Sequence, residues 1–264
     1  MSSDLYLKDT YLNKNYSILI NKVIIEYDLK SANTSLCKEY NLLPIEKIQE
    51  IEEMPKKDRV KTIGKIMRKN EKFKTGLKNA FVDIRKRFFE ENDIQDEDVL
   101  AIKKDAIFCM REIKSTEFGF CKFSSKNRYT SYLYVNHLEI YYNSKGEFLG
   151  DGGKIDVKGI SDDNLQKHSE YMLRFFKILF RHLETSSRKT TNRYISNFID
   201  KYKNLQLEVG YYREFNQMSI IRLNDSDETY DNDVFIPYEH KQDHLCIDYN
   251  FFEILLPIVK IVLQ

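Results

Sequence analysis

The stretch VIIEYDLKSANTSL, residues 23–36, carries the strongest local signal in the sequence. The β-branched and aromatic residues in its first half are typical of a strand. This strand ends at an acidic residue, Asp28, after which the chain becomes small and polar. Asp28 is either a turn residue that closes the strand or a functional carboxylate at the end of a rigid element. A short helix is expected after it, from Thr34 to about Tyr40.

Composition and charge limit the class of protein. The 264 residues suffice for one large or two small domains with a substantial core. The 42 basic and 41 acidic residues give a net charge of +1, which excludes binding of nucleic acid through bulk positive charge but not through a local basic groove. The abundance of Lys, Asn, Ile and Tyr, together with the absence of Trp, indicates an AT-rich coding sequence and a bacterial or viral source.

Cysteine usage and hydropathy predict a soluble, cytoplasmic protein with no membrane partner. The four cysteines, at positions 37, 109, 121 and 246, show no CxxC spacing and lie among apolar residues, which indicates reduced, buried thiols. The N-terminus has no apolar segment typical of a signal peptide. The longest apolar run, FFEILLPIVKIVL at residues 251–263, contains charged residues and is too short to span a bilayer.

The remaining pattern alternates helical and strand segments. Residues 44–92 place apolar residues at helical spacing among Glu, Lys and Arg. This order predicts an α+β fold with a mixed or antiparallel sheet. The expected later segments are a strand over 98–112, strands within 119–160 around a Gly-rich hairpin turn at 144–153, two helices within 161–205, and a last helix near 248–263.

A second acidic residue, Asp105, interrupts the strand predicted over 98–112. An acidic side chain between apolar strand segments is costly to bury unless it is paired or binds a cation. A salt bridge with Lys103 or Lys104, or a tight hairpin turn, would account for it. Together with Asp28, 77 residues earlier, it would also form a pair of carboxylates at neighbouring strand ends.

In this order, the segments resemble the palm of a family B DNA polymerase. The first motif of that family is an Asp at a strand end followed by Ser-Leu-Tyr-Pro-Ser, and here Asp28 is followed by LKSANTS. The second motif is Tyr-Gly-Asp-Thr-Asp-Ser on a hairpin after a long helix. The run KKDA at residues 103–106 takes its place, so Asp105 corresponds to the second, metal-binding Asp and Lys103 replaces the first.

Three later stretches extend the resemblance over residues 23–264. KNRY at 126–129 is similar to the family's Lys-Lys-Arg/Lys-Tyr run, VKGI at 157–160 contains its Lys-Gly dipeptide, and IDYNFFEILLPIVKIVL at 247–263 is similar to the end of its thumb. With only 22 residues before the first motif, no exonuclease domain is expected. The resemblance implies a palm-like domain over 1–160 with reduced helical fingers at about 45–92, and a mainly helical, thumb-like domain over 161–264.

The same resemblance implies a metal-dependent nucleotidyltransferase, either a minimal template-directed polymerase or a primase-like enzyme. Its partners would be a DNA or RNA primer–template, nucleoside triphosphates and other replication or transcription subunits. Asp28 and Asp105 would be catalytic and would bind Mg²⁺ or Mn²⁺. The expected nucleotide-binding residues are Ser31, Asn33, Lys65, Lys69 and Asn70, and the expected nucleic-acid-binding residues are Lys126, Arg128, Tyr129, Lys158 and Gly159.

Two departures from the family pattern bear on activity. Asn33 stands where the family has a Tyr that packs against the sugar and excludes a 2′-hydroxyl, so ribonucleotides are expected to be accepted. Lys103 puts a positive charge beside the proposed metals, where it either has a screening role or marks the loss of catalysis. The alternatives are therefore a catalytically inactive, polymerase-derived nucleic-acid-binding subunit of a viral or bacterial replication or transcription complex, and an unrelated α+β protein whose acidic residues are structural.

Overall fold

The computed structural model describes residues 4–135, 137–144, 153–159, 162–214, 245–246, 255 and 257–258. These residues form helices and antiparallel strands, which confirms the α+β class. The chain divides into two units, Met1–Ser131 and Tyr132–Gln264. This division lies earlier in the chain than the predicted boundary at residue 160, because the strands after Ser131 belong with the helices that follow them.

The first unit consists of strands, four α-helices and two 3₁₀ turns, at Asp4–Leu7 and Asp96–Asp98. Its strands are Thr10–Leu12 (β1), Ile18–Leu19 (β2), Ile24–Leu29 (β3), Val99–Lys103 (β4), Ala106–Cys109 (β5), Glu117–Phe118 (β6) and Cys121–Tyr129 (β7). Its helices are Ala32–Glu39 (α1), Ile45–Glu53 (α2), Lys56–Lys69 (α3) and Glu71–Glu91 (α4).

A six-stranded antiparallel sheet organises this unit, with the strand order β1-β4-β5-β3-β7-β6. The strand predicted over 98–112 is a hairpin, β4–β5, because Lys104 adopts a left-handed conformation (φ 56°) and reverses the chain with Asp105. This hairpin lies directly beside β3, so the two acidic motifs of the sequence occupy neighbouring strands.

The alternation of side chains along β3 separates a core face from a polar one. Ile25, Tyr27 and Leu29 belong to the hydrophobic core of the unit, together with residues of all four helices. Glu26 and Asp28 alternate with them and therefore lie on the opposite face of the sheet. The strand is thus apolar on one side and carries two carboxylates on the other.

The helical segment predicted over 44–92 is confirmed as α2, α3 and α4. Pro44 and Pro55 immediately precede α2 and α3, where the missing N–H of proline costs no intrahelical hydrogen bond. Asn70 caps α4, with its side-chain oxygen accepting a 2.9 Å hydrogen bond from the Phe73 N–H. Local sequence signals thus set the ends of these helices.

The second unit contains the helices predicted within 161–205. The ring centroids of Phe175 and Phe198, one from each helix, lie 4.5 Å apart, and three strands lie side by side in the order β10-β9-β8. Its elements are Ser131–Val135 (β8), Leu138–Asn143 (β9), Lys154–Lys158 (β10), Asp162–Thr185 (α5), Arg188–Lys203 (α6), a 3₁₀ turn at Val209–Tyr211, Arg213–Glu214 (β11) and Leu245–Cys246 (β12).

Four of the sequence expectations concern other features of the chain. Cys37, Cys109 and Cys121 are buried free thiols, as predicted, and burial raises the pKa of Cys37 to about 12. The Gly-rich turn at 144–153 and the last helix near 248–263 lie largely outside the described residues, as does the side chain of Cys246. Within the described part of the chain, no helix has the length and apolar character needed to cross a membrane.

Candidate active site

The end of β3 and the β4–β5 turn bring Asp28 and Asp105 into adjacent positions. Asp28 is paired in register with Ala106, the residue that follows Asp105. The Leu29 N–H donates a 2.9 Å hydrogen bond to the Asp105 carbonyl oxygen. The two acidic residues that the sequence proposed as a pair, 77 residues apart, are therefore neighbours in the sheet.

Burial and nearby charges both shift the pKa of the Asp28 carboxyl group. Burial has the largest effect on the pKa of the Asp28 carboxyl group and raises it. The ammonium group of Lys126 lowers this pKa, whereas the charges of Asp105 and Glu26 raise it further, and Lys56 lowers it slightly. The net result is a raised pKa, which means that the ionised form of Asp28 is disfavoured and that another cation would stabilise it.

Glu26 is a third carboxylate of this face that the sequence reading missed. Its side chain is only 3% exposed. One of its oxygens, Oε2, accepts hydrogen bonds from Asn127 Nδ2 at 2.5 Å and from the Tyr129 hydroxyl at 3.3 Å. The spacing of two residues between Glu26 and Asp28 was the available signal, because residues i and i+2 of a strand share a face.

Lys126 is the cation that the structure places beside these carboxylates. Its Nζ lies 3.8 Å from Asp28 Oδ2 and 4.0 Å from Glu26 Oε1. The sequence predicts that this lysine contacts nucleic-acid phosphates and that Lys103 is the positive charge near the acidic pair. Lys103 is on β4, separated from β3 by β5, so its backbone lies about 10 Å from that of Asp28.

Arg85, on α4, supports the turn that carries Asp105. Its side chain is 1% exposed and donates hydrogen bonds to the carbonyl oxygens of Tyr6 at 2.8 Å and Lys104 at 3.0 Å. It also forms a 2.9 Å ion pair with Asp9. Because Lys104 is the residue before Asp105, this arginine fixes the turn from the core side of the sheet.

The expected nucleotide-binding residues fall into two groups. Ser31 and Asn33 follow directly after β3, at the start of α1, and thus lie near Asp28 in the chain. Ser31 is exposed and adopts a left-handed conformation (φ 46°), while Asn33 is half-buried. This group therefore follows Asp28 closely along the chain.

The second group lies on and after α3. Lys65 and Lys69 are exposed, but Lys56, at the start of the helix, is the α3 residue whose charge acts on Asp28. With a rise of 1.5 Å per residue, Lys65 and Lys69 lie about 14 and 20 Å further along the helix axis than Lys56. Asn70 is occupied as the cap of α4. The sequence predicts Lys65, Lys69 and Asn70 at the nucleotide, whereas the α3 residue whose charge affects the pKa of Asp28 is Lys56.

The KNRY run places its residues in different environments. Lys126 contacts the carboxylates, and Arg128 forms a 2.7 Å ion pair with Glu112. Tyr129 is 1% exposed and its hydroxyl donates to Glu26. The ring of Tyr129 is therefore packed in the interior and is inaccessible to nucleic acid, which differs from the contact predicted for it.

Lys158 and Gly159 belong to the second unit. Lys158 Nζ lies 3.4 Å from Asp156 Oδ2, two residues earlier on β10. Gly159 has a φ of +95°, and a Cβ atom added there would overlap with the His137 carbonyl oxygen. The backbone conformation at position 159 therefore favours glycine, whether or not the Lys-Gly dipeptide contacts nucleic acid.

Replacing Gly159 with alanine is expected to destabilise the protein by about 2 kcal/mol, because alanine is strained at positive φ and meets backbone. Gly64 is the matched control, since it lies within α3 with open space around it. Gly64→Ala is expected to stabilise by about 1 kcal/mol. Thermal unfolding of both variants measures the difference, and equal effects would contradict this account of Gly159.

The residues of the acidic pair suit a divalent cation. Carboxylate oxygens are the ligands that Mg²⁺ and Mn²⁺ prefer. Burial first, and then the charges of Asp105 and Glu26, raise the pKa of Asp28, so a cation at this carboxylate would stabilise its ionised form. Among the described residues, no group of three or more His, Cys, Asp or Glu side chains has metal-binding geometry. Two carboxylates nevertheless suffice for Mg²⁺, which usually keeps several waters and binds substrate phosphates.

Comparison with known proteins bears on the source of the chain. No curated protein matches it. A family described as Bacteriophage PBS1 gene 130 protein matches residues 1–264, which agrees with the bacterial or viral source expected from the composition. This match covers every residue of the sequence, so the chain belongs to the Bacteriophage PBS1 gene 130 protein family.

Proposed function

We propose that the protein is a metal-dependent nucleotidyltransferase with a polymerase-like palm, which extends a nucleic-acid strand. One observation carries this proposal: the strand end with Asp28 and the hairpin turn with Asp105 are neighbours in one antiparallel sheet. That is the arrangement implied by the resemblance to family B DNA polymerases. It requires two motifs far apart in the sequence to meet at one place.

Asp28 and Asp105 are the residues that would hold Mg²⁺ or Mn²⁺. When bound, the metal would neutralise the triphosphate and activate the attacking 3′-hydroxyl. The chain itself contributes the positions of the groups around it. Ser31 and Asn33, at the N-terminus of α1, lie where the positive end of the helix dipole favours an anionic group such as a triphosphate.

The partners and location of the enzyme follow from this activity. It would bind a DNA or RNA primer–template and nucleoside triphosphates in the cytoplasm of an infected bacterial cell. Arg128 and Lys158 are the expected backbone-phosphate contacts, because lysine and arginine bind phosphates without reading sequence. Other replication or transcription subunits of the phage would complete the machinery.

A second candidate function is a catalytically inactive, polymerase-derived subunit that binds nucleic acid. The contact of Lys126 with Asp28 and Glu26 favours it, because an ammonium group already balances part of the charge that a metal would balance. In this case the acidic face would be a structural remnant of an enzyme, and the protein would act through its basic residues alone.

Primer extension by the purified full-length protein separates these functions. Labelled DNA and RNA primers on DNA and RNA templates are incubated with nucleotides and either Mg²⁺ or Mn²⁺. Lengthened primer supports the enzyme. Oligonucleotide binding without lengthening supports the inactive subunit, and the absence of both contradicts both functions and favours an unrelated protein with structural acidic residues.

Asn33 is expected to make the enzyme tolerant of ribonucleotides. Its half-buried amide is smaller than the Tyr of the polymerase family and leaves room for a 2′-hydroxyl. Asn33→Tyr should therefore lower incorporation of rNTPs relative to dNTPs by about 10-fold, a steric discrimination of moderate size. Single-nucleotide incorporation measures this ratio, with Asn15→Tyr as a control on an exposed position. Strict dNTP selectivity of the unaltered protein would contradict the prediction.

A further inference from the structure

We propose that Lys126 is a built-in counter-cation that competes with a divalent metal for Asp28, and that it contacts nucleic-acid phosphate once the metal has displaced it. This inference rests on the proposed function and adds a coupling between its two ligands. It concerns a residue for which the sequence suggested only contact with phosphate.

A β-bulge places Lys126 at this position. The pairing of β3 with β7 shifts register between Glu26 and Tyr27, so that Glu26 is opposite Asn127 while Tyr27 is opposite Ser125. Lys126 is the extra residue. As a result, the side chains of two consecutive residues, Lys126 and Asn127, both reach Glu26, which regular alternation would prevent. Bulges of this kind re-aim side chains and are common beside active sites.

The contacts of Lys126 differ from those of a fixed structural ion pair. Its Nζ lies at 3.8 and 4.0 Å from the two carboxylates, beyond the distance of a strong charge-assisted hydrogen bond. Glu26 is held on its other oxygen by Asn127 and Tyr129 and keeps its position without the lysine. The lysine side chain is itself 54% exposed. Its displacement into solvent therefore requires neither a change in the buried network nor the loss of a short hydrogen bond.

The charge of Lys126 would couple metal binding to nucleic-acid binding. A divalent ion at Asp28 repels the nearby ammonium group and replaces its interaction with the carboxylate by a stronger one. The released ammonium group is a point charge that suits a phosphate oxygen. Metal and nucleic acid would thus bind with positive coupling, and this coupling is reciprocal.

Metal binding without substrate tests the competition. Isothermal titration of the full-length protein with Mn²⁺ compares the unaltered chain with Lys126→Gln and Lys122→Gln. Lys122 is the matched control because it is also an exposed lysine of β7, but it pairs with Glu117. Lys126→Gln is expected to bind Mn²⁺ about 3- to 10-fold more tightly, the size of a partly exposed charge interaction, and Lys122→Gln to be unchanged.

The opposite results are equally definite. Mn²⁺ affinity that is unchanged or weaker in Lys126→Gln would overturn the competition. The absence of Mn²⁺ binding in both the unaltered chain and Lys126→Gln would overturn it as well. Asp28→Asn should remove the metal site with or without the lysine. This variant therefore distinguishes a failure of the competition from a failure of the proposed function. Tighter Mn²⁺ binding by Lys126→Gln with no primer extension by the unaltered protein would support the inference and contradict the enzyme.

Oligonucleotide binding tests the coupling. The affinity of a fluorescent single-stranded oligonucleotide is measured with and without Mn²⁺ at constant ionic strength. In the unaltered protein and in Lys122→Gln, Mn²⁺ should tighten binding about 3- to 10-fold, by the reciprocity of coupled sites. This gain should be lost in Lys126→Gln. An equal gain in all three proteins would overturn the transfer of Lys126 to phosphate.

Discussion

Replacing Asp28 or Asp105 with asparagine is expected to lower the rate of primer extension about 10³-fold. Asparagine keeps the shape of aspartate but removes the negative charge that would hold the metal. A metal ion contributes several kcal/mol of transition-state stabilisation, and each 1.4 kcal/mol corresponds to about a factor of ten in rate. Because both residues would hold the same metals, the double variant should be little worse than either single one.

Glu97→Gln is the matched control for this loss, since Glu97 is an exposed acidic residue of the same unit, in the 3₁₀ turn before β4. Its extension rate should equal that of the unaltered protein. Circular dichroism of each variant verifies that the fold is retained. Extension at the original rate by Asp28→Asn or Asp105→Asn would show that the acidic pair is not the catalytic centre.

Arg85→Met is expected to destabilise the first unit by about 3 kcal/mol. The guanidinium group is almost completely buried and satisfies two backbone carbonyl oxygens, those of Tyr6 and Lys104. Methionine has a similar length but no donor, so both carbonyl oxygens would lose the buried guanidinium group that donates to them. Each unsatisfied group costs about 1–3 kcal/mol. The exposed partner Asp9 loses little, because water replaces the arginine.

Urea unfolding followed by circular dichroism measures this free energy. Lys86→Met is the control, because Lys86 is the next residue of α4 but is exposed, with a 3.7 Å ion pair to Glu90. Its effect should stay within about 0.5 kcal/mol. Arg85→Lys, which keeps the charge and fewer donors, should fall between the two. An unfolding free energy of Arg85→Met equal to that of Lys86→Met would contradict the role of Arg85 in fixing the turn.

The secondary structure of the first unit was largely predictable from local sequence. The β-branched and aromatic residues of VIIEYDL, the helical spacing over 44–92 and the interruption at residues 103–105 each correspond to an observed element. Such signals depend on residues a few positions apart, and sterics and local burial decide them. The adjacency of Asp28 and Asp105 was predictable only through the order of the motifs.

The environment of individual side chains was not predictable in this way. Tyr129 was expected at nucleic acid and is buried against Glu26, while Asn70 was expected at the nucleotide and caps a helix. Arg85 carries a charge, which favours a solvated position, but it is buried on the apolar face of α4. Each of these outcomes depends on which distant segment packs against the residue.

The sequence by itself determined the class of the fold and the position of most helices and strands in the first unit. It also indicated the two acidic residues, Asp28 at the end of β3 and Asp105 in the neighbouring β4–β5 turn. Only the tertiary structure decided which charges surround them. Lys126 meets Asp28 across 98 positions of chain, and it does so through the register and the bulge of the β3–β7 pair. Local periodicity specifies the face of a strand, whereas register between strands depends on the packing of the whole sheet.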